Sequence, residues 1–292
     1  MPNALSDATL GSLTLLQVTG ADFSANGDPI PGVTTSGIDV AEYFGGPVDL
    51  RASFTTEDIA SVCAVSNIAT AGLTVSAGTI AIPYRLRANL STFAAGSSHY
   101  ILSGTHGMIY PTSFNIPSGG SATASLECIF VSSDGATVPV AVNVSQALGS
   151  EAFNAIHTLG PVSINGTTID KVTNVTVTPG LGLLVEFYRH NFLVDCFIVS
   201  RRPMIEVTTY DLAALSALGS AWGIGTAVVA YARKRDGTSF VADATAEHCS
   251  FTFADGIIKP VMISGGAAST HASRTLRFFG EALVVSGATA IT

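Results

Sequence analysis

Short runs of apolar and β-branched residues recur along the chain, and clusters of Gly, Pro, Asn and Asp separate them. Such runs, divided by turn-forming residues, are typical of strands. They predict strands over residues 79–86, 124–132, 138–144, 181–187, 191–199, 226–233 and 274–279. The pattern therefore predicts a mainly β chain, with a hairpin around residues 188–190.

Two segments have helical spacing instead. Apolar residues recur at three- and four-residue intervals over residues 59–66 and 212–218. Each segment follows a Thr-Thr-x-Asp sequence, whose hydroxyl and carboxylate oxygens can cap the first turn of a helix. We predict one helix of about ten residues in each half of the chain. The candidate caps are Thr55 (or Thr56), Asp58, Thr208 and Asp211.

These two segments belong to an internal repeat. Residues 54–60 match residues 207–213 at a separation of 153, and later matches follow in the same order. His99 and His248 occupy equivalent positions at a separation of 149, which predicts a shared structural role such as a hydrogen bond at a strand end.

The repeat predicts two tandem β-rich domains, residues 1–150 and 151–292, each with one helix. The boundary is expected near residues 147–158, after the strand predicted at 138–144.

The composition narrows the class of protein. Hydrophobic residues make up 47% of the chain and charged residues only 12%, against about 25% in a typical soluble domain. This balance excludes a disordered chain, and the net charge of −8 argues against a protein that coats nucleic acid. Mean hydropathy is +0.46, but no apolar run reaches about 18 residues, so we expect no membrane-spanning helix. A surface poor in charge suits a protein that buries it against copies of itself.

The start of the chain has neither basic residues nor a long apolar run, which predicts no secretory signal and synthesis in a cytoplasm. The four cysteines lie singly in apolar runs, so we expect buried free thiols rather than disulfides or a zinc site. They are Cys63, Cys128, Cys196 and Cys249.

The two halves differ in charge, with −7 in residues 1–150 and −1 in residues 151–292. We hypothesise that an acidic face of the first half meets a more basic face of the second half in an assembly. The alternatives are unrelated solvated charges and, less in keeping with the net charge, a nucleic-acid-binding cluster. The candidate inter-subunit residues are Arg201, Arg202, Arg233, Lys234 and Arg235.

Signatures of catalysis are absent from the sequence. It contains no GxSxG, HExxH, GxxxxGK[ST] or helix-opening GxGxxG motif. His99 and His106 lie seven residues apart, but no acidic residue is close to them in the sequence, which argues against a catalytic or metal site. We therefore expect no enzyme activity, no catalytic or metal-binding residues and no cofactor.

The duplicated β-rich unit, with its Thr-Thr-x-Asp sequence before a single helix, resembles the major tail tube proteins of tailed bacteriophages. The residues that carry the resemblance are 52–59, Ala-Ser-Phe-Thr-Thr-Glu-Asp-Ile, and their counterparts in the second half. The resemblance implies two β-barrel or sandwich domains, each flanked by a helix.

The same resemblance implies self-assembly. Six domains would surround a channel by pairing edge strands, so three chains would form a pseudo-sixfold ring. Rings would stack through hairpins, for which residues 22–47 and 174–200 are the candidates. The expected location is the virion tail, the expected partners are other copies and other tail proteins, and DNA would pass without specific contacts.

Alternatives from other classes stay open. They are another virion component (a decoration, capsid or tail-terminator protein), a bacterial injection-system tube or filament subunit, and an enzyme or ligand-binding module with a deep polar pocket.

Overall fold

The structure is a computed structural model. It describes residues 4–5, 7–27, 30–33, 40–44, 47–76, 78–86, 99–148, 155–187, 191–211, 226–264 and 273–292.

In the first half, residues 1–150, the described elements are thirteen strands and two helices. The strands are β1 (Ala4–Leu5), β2 (Ala8–Leu10), β3 (Leu13–Leu15), β4 (Val18–Asn26), β5 (Ile30–Val33), β6 (Val40–Phe44), β7 (Asp49–Thr56), β8 (Leu73–Val75), β9 (Ile80–Arg85), β10 (His99–Gly104), β11 (Gly107–Pro117), β12 (Thr123–Phe130) and β13 (Val140–Gln146). The helices are α1 (Ile59–Ala64) and α2 (Ile68–Ala71).

In the second half, residues 151–292, the described elements are all strands. They are β14 (His157–Ile164), β15 (Thr167–Ile169), β16 (Val172–Thr178), β17 (Leu181–Glu186), β18 (Asp195–Arg201), β19 (Met204–Thr209), β20 (Thr226–Asp236), β21 (Ser239–Phe240), β22 (His248–Ser264), β23 (Ser273–Phe279) and β24 (Ala282–Thr289).

The prediction of a mainly β chain is confirmed, and the strands pair in antiparallel sheets. One sheet has six strands and contains β13-β10-β9-β2-β3 in that order. A second has fourteen strands and follows the order β15-β14-β20-β22-β23-β19-β16-β11-β12-β7-β4. The hairpins β5-β6 and β17-β18 form two-stranded sheets of their own, and no closed barrel is identified among the described strands.

Alternation of apolar and polar residues positions the core. Along β12 the side chains of Ala124, Leu126 and Cys128 are buried, whereas Thr123, Ser125 and Glu127 are partly exposed, as the two-residue period of a strand requires. The equivalent strand β23 buries Leu276 and Phe278 in the same way. These residues belong to one apolar cluster that extends through both halves of the chain.

The helix at residue 59 differs from the prediction. Its N-cap is Asp58, whose Oδ1 accepts a hydrogen bond from the backbone N–H of Ser61 at 3.2 Å. The predicted caps Thr55 and Thr56 are wrong, because both residues lie within β7 and their pairing with β12 keeps them extended. Instead of ten continuous residues, six in α1 and four in α2 are divided at Asn67, which has a left-handed backbone. The second predicted helix, residues 212–218, lies outside the described residues.

The Thr-Thr-x-Asp sequence has a different role in the structure. The hydroxyl of Thr56, buried inside the sheet, donates to the carbonyl of Leu16 at 2.8 Å, and a carboxylate oxygen of Asp58 accepts from the N–H of Leu16 at 3.1 Å. In the second half Thr209 and Asp211 make the same two bonds to Asp170, at 2.8 and 3.1 Å. The motif therefore ties the end of a strand to a neighbouring turn in both halves.

The candidate cap Thr208 lies in β19, and its hydroxyl hydrogen-bonds that of Thr275 on β23 at 3.0 Å. Because residues 212–225 are not described, whether Thr208 or Asp211 caps a helix stays a prediction.

The prediction for the paired histidines is confirmed. The N–H of Leu86, at the end of β9, donates to Nδ1 of His99 at 3.1 Å. The N–H of Lys234 on β20 donates to Nδ1 of His248 at the same distance. Both imidazoles are buried, and each accepts a hydrogen bond from a backbone N–H.

Candidate assembly interface

A direct strand pairing joins the two halves. The end of β11 in the first half runs antiparallel to β16 in the second, with Phe114 opposite Val177 and Asn115 opposite Thr176. The pairing makes one continuous sheet out of strands from both halves. The N–H of Ser118, just after β11, donates to the carbonyl of Thr173 on β16 at 2.9 Å. In a strand the backbone N–H and C=O groups of every second residue point to the same side. The backbone groups of Val177, four residues after Thr173, therefore also point towards β11.

The strands equivalent to this pair have open edges. The repeat relates β16 to β4, since the pairing of Val172 and Asn174 with β19 reproduces that of Val18 and Gly20 with β7, including the register shift. In the described part of the chain, β4 is the last strand of its sheet. Val177 is fully buried at the internal junction, whereas its counterpart Phe23 is 42% exposed.

The other partner, β11, is equivalent to the end of β22. The pairing of Pro111 and Ser113 with β12 matches that of Pro260 and Met262 with β23, again with a register shift between them. Within the described residues, the segment 257–264 pairs with β23 alone. Among the residues that the structure describes, a single chain thus has two unpaired edges, which correspond to the two partners of its own internal junction.

A hairpin reinforces the internal junction. The strands β17 and β18 of the second half lie against the face of β11 and β12 in the first half. Leu193 and Cys196 from the hairpin are buried with Met108, Tyr110 and Ile129. Sγ of Cys196 lies 4.0 Å from Sδ of Met108, and burial raises the pKa of Cys196 to about 11.

Polar groups border this apolar contact. Arg51 on β7 donates to Asp49 at 2.6 Å and to Glu127 at 2.7 Å. The hydrogen bond to Asp49 is the main reason that the pKa of Arg51 is raised, despite partial burial. Burial, with a hydrogen bond to Glu127, raises the pKa of Tyr110. The guanidinium stays charged and holds two carboxylates in place beside the hairpin.

The loop after β12 also contacts the same hairpin, at residues 192 and 193 just before β18. The N–H of Ser132 donates to the carbonyl of Leu193 at 2.7 Å, and the N–H of Phe192 donates to the carbonyl of Gly135 at 3.0 Å. Asp134 shapes this loop by accepting hydrogen bonds from the N–H groups of Ala136 and Thr137 at 2.9 and 2.8 Å. The bonds to Thr137 contribute most to holding the pKa of Asp134 below its usual range.

Helix α1 makes a third contact between the halves, against β22 and β24. A Cβ atom on Gly287 would lie only 3.1 Å from the N of Ala64 and 3.2 Å from the O of Ala60, so the helix backbone rests directly on β24. Beside it, Cys63 of α1 hydrogen-bonds Cys249 of β22. Burial raises the pKa of Cys63, while the hydrogen bond from Cys63 lowers that of Cys249.

The equivalent surface in the first half is open. Tyr100 on β10 corresponds to the fully buried Cys249, and it is 36% exposed. Val144 on β13 corresponds to Gly287, and it is exposed as well. Exposed apolar residues of the first half, Phe23, Tyr100 and Val144, thus correspond to second-half residues that contacts between the halves cover.

All four cysteines are free and buried, as predicted. Of the basic residues predicted to contact other subunits, Arg233, Lys234 and Arg235 make contacts within the chain. Nε of Arg233 lies 2.7 Å from Oδ1 of Asp243, and Lys234 forms an ion pair with Glu247. The guanidinium groups of Arg233 and Arg235 lie 4.6 and 5.4 Å from the ring centre of Phe240. A role in assembly stays a prediction for these residues.

Arg201 and Arg202 are exposed at the base of the β17-β18 hairpin. The N–H of Arg202 donates to the carbonyl of Gly180 at 2.9 Å, and Arg201 lines a cavity of about 230 Å³ together with Glu281. The structure does not bring these two arginines together with the other three.

Sequence patterns alone did not predict the residues that form the internal junction. Their signal was nevertheless present in the repeat, because Met108 aligns with Ile257 and Ile129 with Phe279. An apolar residue retained at both positions indicates a face that is covered in both halves.

Among the described residues, no group of three or more His, Cys, Asp or Glu side chains is arranged to hold a metal ion. Neither described helix has the length and apolarity required to span a membrane. No protein-family model matches the chain, and no curated protein is significantly similar to it in sequence.

Proposed function

We propose that this chain is a structural subunit that assembles edge to edge into rings, and that the rings stack into a tube of the bacteriophage tail type. The observation that carries the proposal is the β11-β16 pairing between the halves, together with the open edges of the equivalent strands β22 and β4. Repeating the internal junction between copies would pair the end of β22 with β4 of the next chain.

The proposal treats residues 1–150 and 151–292 as tandem copies of one tube-like unit. A contact between two different surfaces of the same chain is heterologous, so it generates either a closed ring or an open helix. Exposed edge strands also favour unwanted pairing, and closure into a ring removes them. Three chains would provide six units, as the resemblance to tail tube proteins implies.

In this proposal the function is mechanical, without catalysis or a cofactor. The ring would enclose a channel through which DNA passes into the host, and the protein would be located in the virion tail. The net charge of −8 supports such a channel, because a negative wall would not retain the phosphate backbone. Other tail proteins would cover the ends of the tube.

The proposed edge contact can be tested with an engineered disulfide. Asn115 lies opposite Thr176 at the internal junction, and their counterparts are Ser264 and Asp22. The double variant Asp22→Cys/Ser264→Cys should form a covalent ladder of multimers on mild oxidation, because directly opposed strand residues approach disulfide geometry. The native thiols are buried and should not contribute.

Two controls accompany this experiment. An equal mixture of the Asp22→Cys and Ser264→Cys single variants should stop at dimers, because each chain then has one reactive thiol. A Leu184→Cys/Ser264→Cys variant, with an exposed cysteine away from the β4 edge, should not form the ladder. If the mixed single variants give no dimer at the highest soluble concentration, the edge-to-edge proposal is wrong.

Electron microscopy of concentrated protein would then separate the assembly types. Hollow stacked tubes support the tail-tube proposal, whereas closed shells or isolated rings favour another virion component. A stable monomer with a ligand bound in a polar cleft would contradict both.

A further inference from the structure

The surface of β11 and β12 that the β17-β18 hairpin covers has a counterpart on β22 and β23. Met108 on β11 lies opposite Ile129 on β12, and both are buried beneath the β17-β18 hairpin. Their counterparts Ile257 and Phe279 lie opposite each other in the same register on β22 and β23. Ile257 is 50% exposed and Phe279 is 43% exposed, so within one chain this apolar pair is only half covered.

The repeat also identifies a hairpin that could cover the pair. The strands β16 to β19 carry the β17-β18 hairpin between them, and the equivalent strands β4 and β7 carry β5-β6. The sequence of β5 and β6, Ile-Pro-Gly-Val and Val-Ala-Glu-Tyr-Phe, is largely apolar, like that of β17. In both halves the hairpin thus extends from the strand that forms the junction.

We propose that the β5-β6 hairpin of one copy docks on the patch formed by Ile257 and Phe279 of the adjacent copy. This inference rests on the proposed function, because it requires the edge contact between β22 and β4 that brings the two copies together. Docking would bury two large apolar side chains that the single chain leaves in water.

Charge favours the same partner. Residues 22–47, which include the hairpin, contain four acidic residues and no Lys or Arg. The patch is bordered by Lys259, which is exposed, and by Arg277, which forms an ion pair with Glu206. The acidic segment of the first half would therefore meet the exposed ammonium group of Lys259 on the second half, rather than residues 233–235.

Photocrosslinking tests the contact directly. A benzoylphenylalanine placed at Ile257 in assembled protein should crosslink to residues 30–44, and peptide mass spectrometry can locate the product. Assembling isotopically light and heavy chains together should yield light–heavy crosslinks, as expected of contacts between copies. The same probe at Val284, an exposed residue of β24, should give no crosslink to residues 30–44.

A charged substitution provides the second measurement. Ile257→Glu should raise the protein concentration needed for half-maximal assembly about tenfold or more, because it buries a charge in an apolar contact. Val284→Glu should leave that concentration unchanged. Circular dichroism of both variants below the assembly concentration controls for folding.

The outcomes separate this inference from the proposed function. If the Asp22→Cys/Ser264→Cys ladder forms but Ile257 crosslinks elsewhere, or only within its own chain, the docking inference is overturned and the edge-to-edge assembly stands. If neither the ladder nor the crosslink forms, both are overturned.

Discussion

The contact between α1 and β24 makes a quantitative prediction at Gly287. Replacing this glycine with valine adds three carbon atoms where the helix backbone leaves no room for the first. A Cβ atom at this position would lie 3.1 to 3.3 Å from three backbone atoms of residues 60 and 64, against 3.4 to 4 Å for an ordinary contact. The helix must therefore move by several tenths of an ångström, and Cys63 would move with it.

Two opposing effects set the size of the change. Overpacking a well-packed site costs about 1–3 kcal/mol of unfolding free energy. Replacing glycine also restricts the unfolded chain, which raises the unfolding free energy by about 0.4–1 kcal/mol. For Gly287→Ala the two nearly cancel, so we expect a loss of no more than about 1 kcal/mol. For Gly287→Val the two additional methyl groups bring the expected loss to about 2 kcal/mol.

Equilibrium unfolding in urea, at protein concentrations below assembly, measures these values. The matched control is Gly20→Val, because a Cβ at Gly20 in β4 meets nothing within 4 Å. That variant should unfold at the wild-type midpoint or above it, since valine favours a strand. Equal midpoints for Gly287→Val and Gly20→Val would refute the packing of α1 on β24.

Three further predictions concern the internal junction. Leu193→Ala should lower the unfolding free energy by about 2–5 kcal/mol, because it removes a fully buried side chain, whereas Leu184→Ala on the same hairpin should change it by less than about 0.5 kcal/mol. Asp134→Asn should lower the stability of the fold at neutral pH. Because the pKa of Asp134 is lowered on folding, the stability that its carboxylate contributes is present above pH 3.8 and disappears as the pH falls below it. The melting temperatures of the wild type and the variant should therefore converge in acid. Thiol reagents should modify none of the four cysteines in the native protein and all four after unfolding, as a mass measurement would show; rapid native labelling of Cys63 or Cys249 would contradict the burial of that pair.

The strand prediction succeeded where the apolar runs were long and bounded by turn residues. Predicted residues 79–86 correspond to β9, 274–279 to β23, and the two strands predicted around residues 188–190 correspond to β17 and β18. The turn itself, residues 188–190, lies outside the described residues. Local pattern was sufficient here because strand pairing and local propensity agree.

The predicted start of the first helix was wrong because strand pairing and local propensity disagree there. Thr55 and Thr56 have the side chains of capping residues, but pairing between β7 and β12 extends through both and delays the helix to Ile59. Tertiary pairing overrode a local signal, and the inward-facing hydroxyl of Thr56 was used to hold Leu16 instead.

The sequence by itself determined the strand-rich character of the chain, the internal repeat and the equivalence of His99 and His248. Each of these depends on residue type and spacing, which a single sequence contains. Only the tertiary structure decided which copy of each repeated surface is covered. Met108 and Ile257 are similar in sequence, but one is buried and the other half exposed. The difference arises because two repeats in one chain form this junction once, so the equivalent outer surface of each half stays exposed.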